Sequence, residues 1–176
     1  PSFAKNLKVN GENTESKDVK LSIKAGNTEI ELEFETVPYL KKRPEDLYVL
    51  RMGSLLFSVP VAYDKIMRKK SKKGVERKFP YCDYEYIPVS EWNYAYCNSK
   101  LSVEIDKISN VPFSSENPPV KIKTKVKNIN WGLEDGYETV CAKVPASRIP
   151  QSIEKEAILY PYGCCKLRMT ELPLID

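Results

Sequence analysis

The chain predicts an all-β fold, an antiparallel β-sandwich of jelly-roll type with few or no helices. Three observations carry this. Apolar and charged residues alternate with a period of two in several segments, as side chains do across a strand. Thirteen prolines and seven glycines cut these segments short. No stretch keeps a 3.6-residue period over three turns, and "SIEKEAIL" (Ser152 to Leu159), the nearest to it, is short.

In chain order, "KNLKVNGE" reads as a short strand ending in Asn10-Gly11, a strong hairpin signal. Ala25-Gly26-Asn27 marks a further turn. "NTEIELEFETV" sets Ile30, Leu32 and Phe34 on one face and Glu29, Glu31, Glu33 and Glu35 on the other, which predicts one buried and one wet face. "LYVLRMGSLLFSVPV" is an apolar run broken at Gly53 and Pro60, as buried central strands are. "KLSVEIDKI" alternates through Leu101, Val103 and Ile105. "VKIKTKVKNI" sends Val120, Ile122, Thr124 and Val126 inward and Lys121, Lys123, Lys125 and Lys127 outward.

At 176 residues, with 41% hydrophobic and 30% charged residues, the chain has the balance of a soluble globular protein. No apolar run approaches the roughly 20 residues needed to span a bilayer, so no membrane is expected as partner. No signal peptide opens the chain. It starts at Pro1 rather than Met, and we expect a processed or excised piece, with any targeting segment outside it. Net charge is +4, and seven basic residues with one Glu are confined to "RKKSKKGVERK", Arg68 to Lys78. Nucleic-acid binders spread basic residues over a face with interleaved aromatics. This run reads as a solvated loop, and nucleic acid is not an expected partner; the rival reading is a patch for nucleic acid or anionic lipid.

Five cysteines (Cys82, Cys97, Cys141, Cys164, Cys165) form no C-x-x-C pair and no disulfide framework, which favours a reducing compartment and a cytoplasmic location. Histidine is absent, which excludes Ser-His-Asp and Cys-His mechanisms and imidazole-bound zinc within this chain.

Several segments together resemble the β-L-arabinofuranosidase-like glycoside hydrolases. "LYVLRMGSLLFSVPV" is similar to that family's "ALRxGPLVFxLP", and "SEWNYAY" (Ser90 to Tyr96) to its "SPWNYAL". "NPPVKIKTKVKNINW" follows a strand ending in tryptophan. "PASRIPQSIEKEAILYPYGCCKLRMTELPL" follows the closing "PxSPV…LxPYGcxxLRxTxFP", and "PSFAKNLKVNGE" follows "PxWAxxxxVNGE". The order is kept over almost the whole chain. Departures are Met52, Ser54, Leu172 in place of Phe, and the basic run.

The resemblance implies an enzyme with an (α/α)6 barrel followed by β-sandwiches. The barrel holds the chemistry, a cysteine nucleophile and a zinc ion, and this chain matches only the region after it. On that basis residues 1–62 would be the last strands of a middle sandwich and residues 63–176 the terminal sandwich, the two able to pack as one unit. The chain itself would be a non-catalytic accessory region with no catalytic residue, no metal ligand and no cofactor of its own, zinc belonging to the barrel. Its partners would be that barrel, a second copy across an unpaired sheet edge, and a glycan.

Adjacent Cys164 and Cys165 invite comparison with the family's catalytic cysteine pair. They fall instead in its closing "PYGc" stretch, so we expect a terminal strand with its thiols packed as small hydrophobes. "YCDYEYIPVSEWNYAY" (Tyr81 to Tyr96) is the richest aromatic stretch. Its residues suit packing across strands, a domain interface, or stacking on sugar rings. The candidate carbohydrate or interface residues are Trp92, Tyr94 and Tyr96; a stand-alone carbohydrate-binding module using residues 81–96 is the alternative function. Trp131 is expected in the core. Glu134-Asp135-Gly136 reads as a turn, and neither it nor Glu154 and Glu156 presents the facing carboxylates that glycoside hydrolysis needs.

Overall fold

The structure, a computed structural model, describes residues 2–16, 18–68, 79–137 and 140–176. Nearly everything regular in it is strand; the described helical content is two single 3-10 turns, Pro44–Asp46 and Tyr162–Cys164. The all-β expectation is met. Apart from Arg68, the basic run lies outside the described residues.

The N-terminal part is a small sheet of β1 (Lys5–Val9), β2 (Glu12–Asn13) and β3 (Leu32–Glu35), in the order β2-β1-β3. Asn10 and Gly11 both have positive φ, 51° and 81°, the geometry of the tight turn that Asn-Gly predicts. The Asn10 side chain accepts from the Glu31 amide at 2.9 Å and pins β3 beside it. The alternation in β3 does not bury its apolar face. Ile30, Leu32 and Phe34 are 46%, 60% and 44% exposed. With three strands and no second layer among the described residues, this sheet shows only a Phe3–Phe34 ring contact at 6.3 Å on that face.

The main body begins with β4 (Pro38–Lys42), β5 (Leu47–Met52) and β6 (Leu55–Pro60). A two-residue turn, Gly53-Ser54, joins β5 to β6, and Gly53 takes φ +59° there. A two-stranded ribbon of β7 (Tyr63–Arg68) and β8 (Asp83–Pro88) projects next. Then follow β9 (Tyr94–Cys97), β10 (Ser102–Ile105), the long β11 (Val120–Asn130), β12 (Ser147–Pro150), β13 (Lys155–Pro161), β14 (Arg168–Met169) and β15 (Glu171–Ile175).

Their pairings run β5–β6–β13–β11–β9–β15 and return to β5, so the sheet closes on itself. Closure occurs at a fork. Leu50–Met52 pairs with Leu55–Phe57, but beyond that point the two strands part. The C-terminal segment enters the gap: Arg168 and Met169 pair with Pro60 and Val59, and Glu171 to Pro173 pairs with Val49 to Leu47. The Ser58 and Thr170 hydroxyls meet at 2.9 Å where the strands diverge. β15 then lies parallel to β9, with Leu174 opposite Tyr96.

All six strands of the circuit feed one core, with Leu50, Phe57, Tyr96, Ile122, Leu159 and Leu172 fully buried. β11 is its spine and follows the predicted phase: Ile122, Thr124 and Val126 are buried, while Lys121 and Lys123 reach Asp106 and Glu104 at 2.6 and 2.5 Å. In β10 the alternation fades, for Leu101 and Val103 are half-buried but Ile105 is exposed. Residues on both sides of the expected boundary at 62/63 contribute to this single core.

Leu172→Ala empties a fully buried site at the closure and should lower the unfolding free energy by about 2–5 kcal/mol in urea titrations. Leu32→Ala, on the exposed face, should change it by less than about 0.5 kcal/mol. Equal effects would contradict this assignment of the core.

Candidate functional site

Ser90 to Tyr96 crosses from a loop into β9, and its backbone is clamped to the far end of β11. Asn93 uses both of its halves: its carbonyl accepts from the Ile129 amide at 3.0 Å, and its side-chain Nδ2 donates to the Ile129 carbonyl at 2.8 Å. Asn128, a buried amide at an inward position of β11, donates to Asn93 Oδ1 at 3.2 Å. The Asn128 backbone amide donates to Ser152 Oγ at 2.9 Å. The Asn93 and Asn128 side-chain amides thus meet partners, as burial requires.

Trp92 is half-buried and packs edge-on to Trp131, ring centroids 6.4 Å apart. Trp131 is buried, as expected, and its indole N–H donates to the Ala142 carbonyl at 2.8 Å. Tyr94 is also half-buried; its hydroxyl donates to Glu91 at 3.4 Å, and the Lys155 ammonium lies 4.8 Å from its ring centre. Lys155 closes the trio with an ion pair to Glu91. Glu91, Asn93, Asn128 and Lys155 escaped the sequence reading. A signal existed for Asn128, a polar residue in phase with Ile122, Thr124 and Val126.

Tyr96 requires a correction. Its side chain is fully buried and its hydroxyl finds no hydrogen-bond partner among the described residues, so neither ring face is open to a sugar or a partner. Position alone explains this: Tyr96 lies between Val126 of β11 and Leu174 of β15, inside the closed circuit.

The charges of the Glu91–Tyr94–Lys155 trio are locked. The hydrogen bond from Lys155 holds the Glu91 carboxyl below the usual range, outweighing a small desolvation effect. Burial pushes the Tyr94 phenol up. For Lys155 burial acts downward, but the Glu91 hydrogen bond and the Tyr94 phenol together leave it raised. All three move away from neutrality, whereas a general acid or base is tuned toward the working pH. The trio is a brace between β13 and the β9 loop.

The cysteine pair is not in a strand as expected. Pro161 ends β13, and Tyr162–Cys164 forms a 3-10 turn. The turn swings both thiols to one side, so Cys164 and Cys165, buried at 3% and 6% exposure, line the same apolar cleft with Val61, Ala62, Tyr160 and Leu167. Arg168 fixes the turn by donating to the Cys165 carbonyl at 2.5 Å and stacking over the Tyr162 ring at 3.5 Å. Burial, then the neighbouring Cys164, pushes the Cys165 thiol up to about 11, and burial raises Cys164. Burial likewise pushes Cys141 to about 11. Among the described residues no three Cys, Asp or Glu gather to hold a metal ion. Glu134 and Gly136 form the predicted turn, Gly136 at φ +80°. Glu154 faces Lys127 at 3.9 Å. No described helix is long and apolar enough to cross a membrane.

Comparison with family models, curated proteins and solved structures gives no match for this chain.

With a thiol at about 11, roughly a thousandth of Cys165 is thiolate at pH 8. Ellman titration of the native protein at that pH should leave Cys164 and Cys165 unmodified, and guanidinium should release them; prompt native reaction of the pair would show a reactive site. Tyr96→Phe removes a buried hydroxyl without a partner and should leave stability unchanged or raise it by about 1–2 kcal/mol. A loss above about 1 kcal/mol would show that the hydroxyl has a partner.

Proposed function

We propose that the chain is a non-catalytic accessory β-region of a glycoside hydrolase resembling the β-L-arabinofuranosidases, serving to pack against a catalytic barrel or a subunit interface. The observation that carries this reading is the uncovered apolar face of residues 19–39. Val19, Leu21, Ile23, Ile30, Leu32, Phe34, Val37 and Tyr39 are all exposed on one N-terminal stretch. So many exposed large apolar side chains on one stretch of chain suit an interaction surface. The ordered motifs from "VNGE" to "PYGCCKLRMTELP" support the same reading, and the locked charges around Tyr94 agree with a region that does no chemistry itself. The chemistry, a cysteine nucleophile with zinc, would lie in the barrel.

A stand-alone carbohydrate-binding module is the second reading, and one observation favours it: Phe79 and Tyr81, just before β8 at the Arg68–Asp83 end of the ribbon, hold their rings in solvent. Trp92 and Tyr94 would serve it less well, since each spends one face on the body of the fold.

The test is the reading frame around this chain and the activity of its product. The full product should carry an (α/α)6 barrel with an adjacent cysteine pair and release terminal β-L-arabinofuranosyl groups, whereas residues 1–176 alone should release none. A reading frame without a barrel, or hydrolysis by the isolated chain, overturns the reading. The isolated chain should also self-associate through the apolar face, and Leu32→Lys with Phe34→Lys should return it to monomer in sedimentation; a wild-type chain monomeric at high concentration would contradict this.

A further inference from the structure

A second cleft, of about 520 Å³, opens where the N-terminal sheet leans on the outer face of β4 and β5. Tyr39 and Lys41 alternate onto the same face of β4, and Arg51 stands opposite Tyr39 in the β4–β5 pairing. Lys5 of β1 and the hydroxyl residues Ser2 and Ser54 complete the polar wall. Three cations thus line one cleft whose wall contains no carboxylate.

Neighbouring cations on the same strands are neutralised: Lys8 pairs with Glu33 at 3.2 Å and Lys42 with Asp46 at 2.5 Å. Lys5, Lys41 and Arg51 form no ion pair among the described residues. Glu35, opposite Lys5 in register, is taken by the Asn6 side chain at 2.8 Å. A further fact points to a missing acceptor. The Arg51 Nε–H is shielded from water and has no acceptor among the described residues. Burying a guanidinium N–H without an acceptor is unfavourable, and an oxyanion is the acceptor that guanidinium geometry fits best.

We propose that this cleft binds a small oxyanion ligand, a carboxylate or phosphate borne on a compact ring. The acid would face Lys5, Lys41 and the Arg51 guanidinium, while the ring would lie along Tyr39 and Phe3, which share the wall. The volume suits a ligand of that size. The inference goes beyond the accessory reading and rests on the charge and shape of the cleft alone. A failure here leaves that reading standing, since the reading frame decides it.

The test is a ¹H–¹⁵N titration of the chain at low ionic strength with sodium phosphate, sodium D-glucuronate and, as neutral control, D-glucose. Phosphate or glucuronate should give saturable shifts at amides 39–41 and 51–54, weakening with added salt. Lys41→Met and Arg51→Met should each raise Kd at least about tenfold. Lys41 is exposed, so its variant keeps the test valid if Arg51→Met fails to fold. Tighter binding of glucuronate than phosphate would identify a ring-borne acid, and the reverse a phosphate ligand. Non-saturable shifts, shifts spread over lysines elsewhere, equal response to glucose, or an unchanged Kd in folded Lys41→Met would each overturn the proposal.

Discussion

The whole structure depends on the fork between β5 and β6. A hairpin that stayed paired along its length would leave an open sheet with two edges and no way to enclose a core. Because the strands separate after Leu50 and Phe57, each offers backbone donors and acceptors to a third segment. Arg168 to Pro173 supplies them to both sides at once, and the Ser58–Thr170 hydroxyl contact satisfies the polar groups left at the point of divergence. A closed sheet removes the unpaired edges that an open one exposes. Leu172 and Pro173 are fully buried because they sit on the segment that completes the enclosure.

The aromatic segment is best understood from that enclosure outward. Tyr96 is inside it, Tyr94 and Trp92 stand at its end, and the residues between them are fixed by Asn93, Asn128 and the Glu91–Lys155 pair. One strand thus passes from core to surface within a few residues. The cysteine turn has a similar logic. Pro161 and the 3-10 turn redirect the chain from β13 toward the fork, and the two small thiols fill the inner side of that bend.

Strand identity was largely legible in the sequence, because the period of two survives wherever one face is buried. β11 shows this fully, down to the lysines on its wet face. The Asn10-Gly11 hairpin and the Gly53 turn were legible because positive φ selects those residues. Closure was not, since pairing partners more than a hundred residues apart leave no local trace; the Ser58–Thr170 contact spans 112 residues. The same blindness misjudged β3, whose alternation predicts a buried face although Leu32 and Phe34 stay exposed. Tyr96 and Tyr94 looked alike as alternating aromatics, and only the third dimension separates a core ring from a rim ring. The Asn128 amide was readable in principle, as a polar residue in an inward phase. The charge cluster at Lys5, Lys41 and Arg51 was not, because it draws on two different sheets.

The fork also sets a timetable for synthesis. Its last pairing partner lies more than a hundred residues further along the chain, so β5 and β6 must wait, half-satisfied, until that stretch is made. Local hairpins form quickly, but contacts of this separation are slow. Throughout that interval the fork is an open strand-docking site and the apolar floor of the core is exposed to other nascent chains. A ribosome stalled before Arg168 would therefore release an unenclosed sheet, a natural substrate for chaperones and proteases. Enclosure of this core is tied to the arrival of Arg168 to Pro173 rather than to any local hairpin.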